Sequence, residues 1–405
     1  MNGHPAQQAE RRAPLRLILA VGQMATTAPL ATDMYLSAMP VIARDLGTSM
    51  ERIQSSITMF LAGMALGQLV AGPFSDAMGR RLPLLIGLLL FTGTAVVSAM
   101  TGSVSLFLGA RFLQGLGSSA GITVARAIVR DRYQGEAAAR TLALVTLTIS
   151  IAPMLAPAVG GVIVETLGWP WVFWTCAGLG AAGLVVLGLA IPETLPPDRR
   201  RDLHPVRVAA TYRGLLADRE FLAFTGIRAL SQGLFFAYLA AAPAILMTPF
   251  ALSETTFGIA FAANAVAISL TMQASPALMV RLGLVRALRL SGLGGCVLIV
   301  VTIAATLIWP GSALALILPL FTVFGTVGII NNLSVVGAME RQGHAGGTAA
   351  ALLGAIQLGT GSLLAAISAQ LSGSTLTVLL LMLGCMALLA LIAGRLADPR
   401  ARSAG

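Results

Sequence analysis

Two ionisable residues lie deep inside long apolar stretches of this 405-residue chain. Asp33 lies seven residues before Pro40, and Arg111 lies seven residues after Val104. At 1.5 Å per helical residue, both lie roughly 10 Å from one end of their helices. Burial favours the neutral form of a carboxylate, whereas a nearby cation favours its ionised form. We therefore predict an acid–base pair that exchanges a proton when its surroundings change; a structural salt bridge is the alternative.

The composition indicates that these stretches cross a membrane. Hydrophobic residues make up 57% of the chain and charged residues 10%, whereas soluble proteins carry about 25% charged residues. All 26 basic residues are arginine, so the chain lacks the lysine of a phosphate-binding loop and of a Schiff base. The three cysteines and three histidines form no ligand pattern, and we expect no metal and no organic cofactor. The net charge of +10 is spread over short connections, which argues against a nucleic-acid partner.

Twelve stretches are long and apolar enough to cross the bilayer as helices, which takes about 20 residues each. They are roughly 17–40, 53–72, 82–101, 104–127, 139–164, 170–191, 220–247, 255–279, 287–309, 312–338, 348–371 and 374–394. The predicted fold class is therefore an all-α membrane protein of twelve transmembrane helices in two six-helix halves. The predicted divisions are 1–16 (amino terminus), 17–191 (first half), 192–219 (linker), 220–394 (second half) and 395–405 (tail).

The arginines predict the orientation of the chain. They cluster at both termini and in every second connection, and the remaining connections contain only Arg44 and Arg52. Because positive charge is retained on the cytoplasmic side, both termini are expected in the cytoplasm, with the chain crossing the cytoplasmic (inner) membrane many times.

The connection after the second span reads GPFSDAMGRR. It resembles the loop motif G-x-L-a-D-r-x-G-r-r of the major facilitator superfamily, whose fold has two six-helix halves. The matching residues are Gly72, Asp76, Gly79, Arg80 and Arg81, with a departure at Ala77. We expect Asp76 to face the start of the eleventh span (346–348) and Arg80 to pair with Asp131, so that both contacts latch the halves in the outward-facing state. An ordinary charged turn is the alternative.

Three further segments resemble particular members of that superfamily. RFLQGLG, from Arg111, resembles the fourth-span motif of proton-coupled members, and ATDMYLSAMP (31–40) resembles the first span of the bicyclomycin/chloramphenicol-resistance (Bcr/CflA) branch of drug:proton antiporters, with Ser37 in place of proline. APMLAPAVGG (152–161) resembles the antiporter motif of the fifth span, with Ala156 in place of glycine. The motif positions in this last segment are Pro153, Pro157, Gly160 and Gly161. The resemblance implies export of drugs or metabolites in exchange for protons through Asp33 and Arg111.

Polar and aromatic residues within the spans are candidates for a substrate cavity. In the second half, Arg228, Asn331 and Asn332 lie at comparable depth and are expected to form one polar cluster, unless Arg228 reaches to the cytoplasm instead. The full set of candidates is Tyr35, Gln114, Arg228, Gln232, Phe235, Phe236, Asn331 and Asn332. The aromatic residues among them have packing between helices as their alternative role.

The predicted function is proton-coupled export of small lipophilic compounds, with protons, the substrate and the lipid bilayer as partners and the monomer as the working unit. Uptake of a small nutrient, by symport or facilitated diffusion, is the alternative, and a membrane sensor or enzyme is a third. The segment Gly117–Gly121 fits the hydrolase pattern G-x-S-x-G. That chemistry needs a strand-to-helix elbow and a histidine partner, so an enzyme is not expected.

Overall fold

Every regular element in the described part of the chain is helical. The computed structural model describes residues 15–133, 135–200, 205–340, 342, 346–371 and 373–397. The helices are α1 (Leu15–Ala25), α2 (Thr27–Asp33), α3 (Met39–Asp45), α4 (Met50–Met78), α5 (Arg81–Met100), α6 (Val104–Arg132), α7 (Gly135–Leu167), α8 (Pro170–Ala190), α9 (Pro205–Ala217), α10 (Arg219–Ala242), α11 (Thr248–Phe250), α12 (Glu254–Leu282), α13 (Leu284–Ile308), α14 (Ala313–Met339), α15 (Gly346–Leu371) and α16 (Thr375–Ala397).

Ten stretches of the described residues are long and apolar enough to cross a membrane: α4, α5, α6, α8, α12, α13, α14, α15, α16 and the segment from α10 to Phe250. Their outer faces carry exposed large apolar side chains, such as Leu189, Val280 and Leu391. Such faces are expected in contact with lipid. The predicted fifth span lies within α7, of which Leu155–Leu167 is a shorter apolar helix.

The predicted first span is not one continuous helix. Residues 17–40 form α1, α2, a 3₁₀ turn at Leu36–Ala38 and the start of α3. Pro29 has no N–H to donate within the helix, and the hydroxyls of Thr26 and Thr27 bond to the preceding turn, at Gln23 and Met24. Such local bonds favour bends in a helix, and the bent segment ends α2 at Asp33.

Glycines bring α4 and α6 into backbone contact. A Cβ at Gly63 would collide with the backbone of Phe112, and one at Gly115 would collide with the backbone of Phe60. Small residues allow this close approach in membrane helices. The crossing places Phe60 beside Arg111, the residue that precedes Phe112.

Contacts between the part of the chain before the linker and the part after it include the helix pairs α7–α12 and α4–α15. At one end, α7 packs on α12, and Glu165 accepts hydrogen bonds from the backbone and hydroxyl of Thr255 at 2.9 and 2.8 Å. The pair α4 and α15 is joined by a 2.9 Å hydrogen bond from Ser362 to the carbonyl of Thr58. We call the end of the bundle with Arg80, Arg81 and Arg132 the Arg-rich end, and the end with Glu165 the opposite end.

The predicted linker, 192–219, contains a 3₁₀ turn at Pro197–Arg199 and the helix α9, which packs on α10 and α15. Tyr212 of α9 donates its hydroxyl to the carbonyl of Leu69 in α4 at 3.3 Å. Pro73, four residues after Leu69, has no N–H for that carbonyl. The linker thereby replaces a hydrogen bond that the proline removes from α4, and joins α4 to the second half.

Candidate functional site

A cavity of about 330 Å³ lies between the two halves, with walls from α2, α4, α6, α7, α10, α14 and α15. It extends towards the Arg-rich end, where Met339 ends α14 and Ala350 lies in the first turns of α15. Towards the opposite end, close packing of α7 on α12 closes the bundle, since Gly258 approaches the backbone of Pro157. A compound of modest size could therefore enter from the Arg-rich end in this state.

The described part of the cavity wall is mainly apolar, with one acid and one base. Its apolar residues include Leu61, Met64, Phe235, Phe236, Val335 and Leu353, and its polar residues are Thr32, Asp33, Gln68, Arg228, Gln232 and Gln357. Such a wall, with a few polar groups that fix orientation, is typical of small-molecule sites. Six of the predicted site residues therefore lie on the cavity: Asp33, Pro153, Arg228, Gln232, Phe235 and Phe236.

Asp33 is the last residue of α2 and is 4% exposed. Its carboxyl group reaches the cavity beside Thr32 and Pro29. Among the described residues it has no ion pair. A buried carboxylate without a cation carries a large desolvation cost, and the protonated form avoids that cost.

Arg111 lies in a separate aromatic cluster rather than on the cavity. Its side chain is completely buried, and its guanidinium carbon lies 4.5, 4.6 and 5.7 Å from the ring centroids of Tyr35, Phe60 and Phe173. Nη1 donates a 2.6 Å hydrogen bond to Gln114. Within the described ranges, Nε and Nη2 have no acceptor.

The structure thus separates groups that the sequence analysis places together. The predicted Asp33–Arg111 ion pair is absent from the described residues, and Tyr35 and Gln114 belong to the cluster around Arg111 instead of lining the cavity. The reason is the 3₁₀ turn after α2, which directs Asp33 and Tyr35 to different neighbours although they are two residues apart.

The predicted polar cluster of the second half also divides. Arg228 Nε donates to Gln357 of α15 at 2.7 Å, while Asn331 donates to Gln232 at 3.4 Å. Asn332 turns away to Ser275 of α12, at 2.6 Å. Consecutive helical residues point about 100° apart, so Asn331 and Asn332 cannot both face one partner, and neither lies on the cavity wall.

At the Arg-rich end, Arg80 holds the predicted loop together. Nε donates to Asp131 at 2.8 Å, and Nη1 donates to Asp76 at 2.6 Å and to Ser75 at 2.8 Å. Burial lowers the pKa of Arg80, but the hydrogen bonds to Asp131 and Asp76 outweigh that effect and raise it. The pairing of Arg80 with Asp131 is observed, and it lies entirely within the first half.

The other predicted latch contact is not made in this state. Asp76 bonds to Arg80 and, among the described residues, makes no hydrogen bond to the start of α15. Gly72 instead faces Ala351 of α15, with an added Cβ at 4.0 Å. Because Arg80 and Asp131 belong to the same half, their bond alone cannot latch one half to the other.

Glu193 belongs to this loop, although the sequence analysis does not select it. Its carboxylate accepts hydrogen bonds from the backbone N–H groups of Arg80 and Arg81 at 2.8 and 3.2 Å, and from those of Thr194 and Leu195 at 2.9 and 3.0 Å. Burial raises the pKa of Glu193, but these four bonds outweigh that effect and lower it. A carboxylate that binds the first N–H groups of α5 stabilises the start of that helix. The sequence signal that could have identified Glu193 is its position as an acid just after the predicted sixth span, which ends at 191.

Gly79 makes the turn before α5 possible. Its φ of +90° is a conformation that suits glycine. A Cβ there would lie 2.5 Å from Glu193 Oε2, so a larger residue would displace the carboxylate.

The antiporter-motif segment of α7 lies against the site and against α12. Pro153 lines the cavity. A Cβ at Gly160 would lie 2.7 Å from the carbonyl carbon of Met34, the neighbour of Asp33, and one at Gly161 would lie 2.5 Å from the carbonyl oxygen of Glu254. Pro157 faces Gly258. These positions allow α7 to touch the acidic segment on one side and the second half on the other.

The Major Facilitator Superfamily profile matches residues 24–366. An uncharacterized MFS-type transporter of Bacillus subtilis, YdgK, is 33% identical over 86% of this chain and 87% of its own. A bicyclomycin resistance protein homolog of Haemophilus influenzae is 27% identical (95% and 96%), and a chloramphenicol resistance protein of Pseudomonas aeruginosa is 32% identical (82% and 79%).

A solved structure shares the fold. The crystal structure of a D-xylose-proton symporter superposes with a TM-score of 0.73, covering 94% of this chain and 96% of that one, at 16% identity. At this identity the likeness describes the arrangement of helices alone.

Proposed function

The chain belongs to the major facilitator superfamily of membrane transporters, and on that premise we propose that it exports small lipophilic drugs or metabolites in exchange for protons. Membership confirms the resemblance predicted from the loop and span motifs, and it makes the chain a transporter rather than an enzyme. Relatives named for resistance to bicyclomycin and chloramphenicol belong to the predicted Bcr/CflA branch. The observation that carries the proposal is the apolar cavity, on whose wall Asp33 supplies the one carboxyl group among the described residues.

The proton site in this proposal is Asp33, with Arg111 as its alternating partner. Here Asp33 faces the cavity, and Arg111 is buried with two guanidinium nitrogens unpaired among the described residues. A buried cation without an anionic partner is costly. That cost favours a second state in which ionised Asp33 turns to Arg111. Protonation of Asp33 from outside then releases Arg111, and the carrier returns to the inward-facing state described here.

The loop at the Arg-rich end serves as a latch in the same cycle. Asp76, which is 43% exposed and bonds to Arg80 here, turns to the N-terminal end of α15 when that end closes. The positive end of the α15 dipole would stabilise the carboxylate there. Arg80, Asp131 and Glu193 keep the loop rigid in both states.

We infer that the protein acts as a monomer in the cytoplasmic membrane, with both termini in the cytoplasm. Ten spans lie among the described residues, and we propose that the bent segment of α1, α2 and α3 and the helix α7 are the other two of twelve. Spans one to six and seven to twelve form the halves 17–191 and 220–394, joined by the linker that contains α9.

Proteoliposomes with an imposed pH gradient test the direction of coupling. If the interior is acidic, an antiporter moves labelled chloramphenicol inwards against its concentration gradient, and an uncoupler abolishes the movement. A symporter would move the drug inwards only when the exterior is acidic. Movement under the second gradient alone, or none beyond empty liposomes under either, would contradict the proposed function.

A further inference from the structure

The same short sequence pattern occurs at the ends of α4 and α7. It consists of a glycine, any three residues, an acid, any two residues and a second glycine. The residues are Gly72, Asp76 and Gly79 at the end of α4, and Gly161, Glu165 and Gly168 at the end of α7. In both, the acid lies two residues before the end of its helix, and the last glycine has a φ of +90° or +91°. The predicted second and fifth spans, which lead into these patterns, occupy equivalent places in the inverted three-helix repeats of this fold, so the two acids lie at opposite ends of the bundle.

The carboxylate of Glu165 completes the cap of a helix in the other half. An acid in the last turn is disfavoured by the negative end of its own helix and favoured by the positive, N-terminal end of another. Glu165 accepts hydrogen bonds from the backbone and hydroxyl of Thr255, in the first turn of α12, at 2.9 and 2.8 Å. The N-cap residue of α12, Ser253, accepts the N–H of Thr256, so its side chain leaves the N–H of Thr255 to Glu165.

These bonds exist only while α7 and α12 lie together. A Cβ at Gly161 would lie 2.5 Å from the carbonyl oxygen of Glu254. One at Gly258 would lie 2.7 Å from the carbonyl carbon of Pro157. Separation of the two helices by about 1 Å would lengthen both bonds of Glu165 beyond hydrogen-bond range. Glu165 is therefore bonded to α12 only when the opposite end of the bundle is closed.

Asp76, the counterpart of Glu165, is in the converse condition. It bonds to Arg80 of its own half and, within the described residues, makes no hydrogen bond to the start of α15. In the inward-facing state, one acid of the repeated pattern thus binds across the halves while the other does not.

We propose that Glu165 and the start of α12 form a second latch, which holds the opposite end closed in the inward-facing state and releases when Asp76 engages α15. Glu165 is exposed, so water competes for it and the latch biases the equilibrium between the two states without trapping either. A carboxylate at an exposed helix N-terminus contributes a factor of about two to five to such an equilibrium. The inference rests on the proposed function only for the alternation between two states.

Hydrogen–deuterium exchange of the full chain in lipid nanodiscs, without drug or pH gradient, tests this latch. Glu165→Ala should raise backbone exchange at the start of α12 by about two- to fivefold, because the fraction of molecules open at this end rises by that factor. Exchange at the start of α15 should fall at the same time, since the Arg-rich end closes in those molecules. Glu165→Gln should have a smaller effect, because an amide oxygen still accepts the N–H but has no charge. Glu51→Ala, which removes an exposed acid from the first turn of α4 at the same end, should match wild type.

Two results would overturn the inference. One is exchange that stays at the wild-type rate at both ends in Glu165→Ala. The other is faster exchange confined to the first turn of α12 with no slowing at the start of α15, which is what loss of a purely local cap would give. Failure of the proposed function would be seen separately, as absence of proton-driven movement of chloramphenicol in proteoliposomes, because the exchange measurement needs neither drug nor gradient.

Discussion

Replacement of Gly160 by alanine should separate α7 from the segment that follows Asp33. The added Cβ would collide with the carbonyl oxygen of Met34 and would lie 2.7 Å from its carbonyl carbon and 2.8 Å from its Cα, whereas ordinary contact begins near 3.4 Å. The backbones must therefore move apart by more than about 0.7 Å, and neither can yield by a change of rotamer. Overpacking of this kind costs about 1–3 kcal/mol, which corresponds to roughly a 5- to 150-fold change in an equilibrium that needs the contact.

Thermal unfolding in detergent and drug transport in proteoliposomes would measure the effect. Gly160→Ala should have a lower melting temperature and lower transport than wild type. Gly188→Ala in α8 is the matched control, since a Cβ there meets nothing within 4 Å and alanine favours the helix by about 1 kcal/mol. If both variants are as stable and active as wild type, α7 does not pack on this segment as described, and the reasoning fails.

Three further predictions concern the Arg-rich end. Asp131→Ala should lower stability by about 1.5–3 kcal/mol, the value of a hydrogen bond to a charged group, because it leaves buried Arg80 without its 2.8 Å partner; an unchanged melting temperature would contradict this. Glu193→Gln should have a lower melting temperature than wild type at pH 7. Because the fold lowers the pKa of Glu193, its carboxylate stabilises the protein above the ordinary pKa of 4.5, and this stabilisation is lost as the pH falls further. The difference in melting temperature should therefore shrink below pH 4.5, and a difference independent of pH would be evidence against the bonds of Glu193. Tyr212→Phe should loosen the linker and increase proteolysis of α9 in limited digestion, because the hydroxyl of Tyr212 ties α9 to the carbonyl of Leu69 in α4. Tyr133→Phe, outside α9, should not; equal digestion of both would refute the role of that bond.

The sequence predicts helices, their apolar faces and the depth of charged residues well, because every span must pair its backbone groups internally and be long and apolar enough to cross the lipid. Hydropathy therefore places Asp33, Arg111 and Arg228 inside helices, and the motif at Gly72 predicts the bond between Arg80 and Asp131. The first span is less regular than predicted because threonine hydroxyls and Pro29 interrupt it, a local signal that hydropathy does not weigh.

Side-chain direction and distant partners could not be predicted in the same way. Asn331 and Asn332 are adjacent in sequence but face different helices, and this depends on the rotation of α14 in the bundle. Glu193 lies 113 residues from Arg80 and looks like an ordinary linker acid until the fold brings them together. In the cycle we propose, Asp33 faces Arg111 in one state and the cavity in the other, so the sequence alone does not say which neighbour this structure shows.

Proton movement driven by drug is the most direct test of the central claim that Asp33 exchanges the proton. Proteoliposomes that contain a pH-sensitive dye would receive chloramphenicol without an imposed gradient, with wild type, Asp33→Asn and the exposed control Asp198→Asn compared. We expect wild type and Asp198→Asn to move protons against the drug, and Asp33→Asn to move none while it still binds the drug. Undiminished proton movement in Asp33→Asn would remove Asp33 from the mechanism.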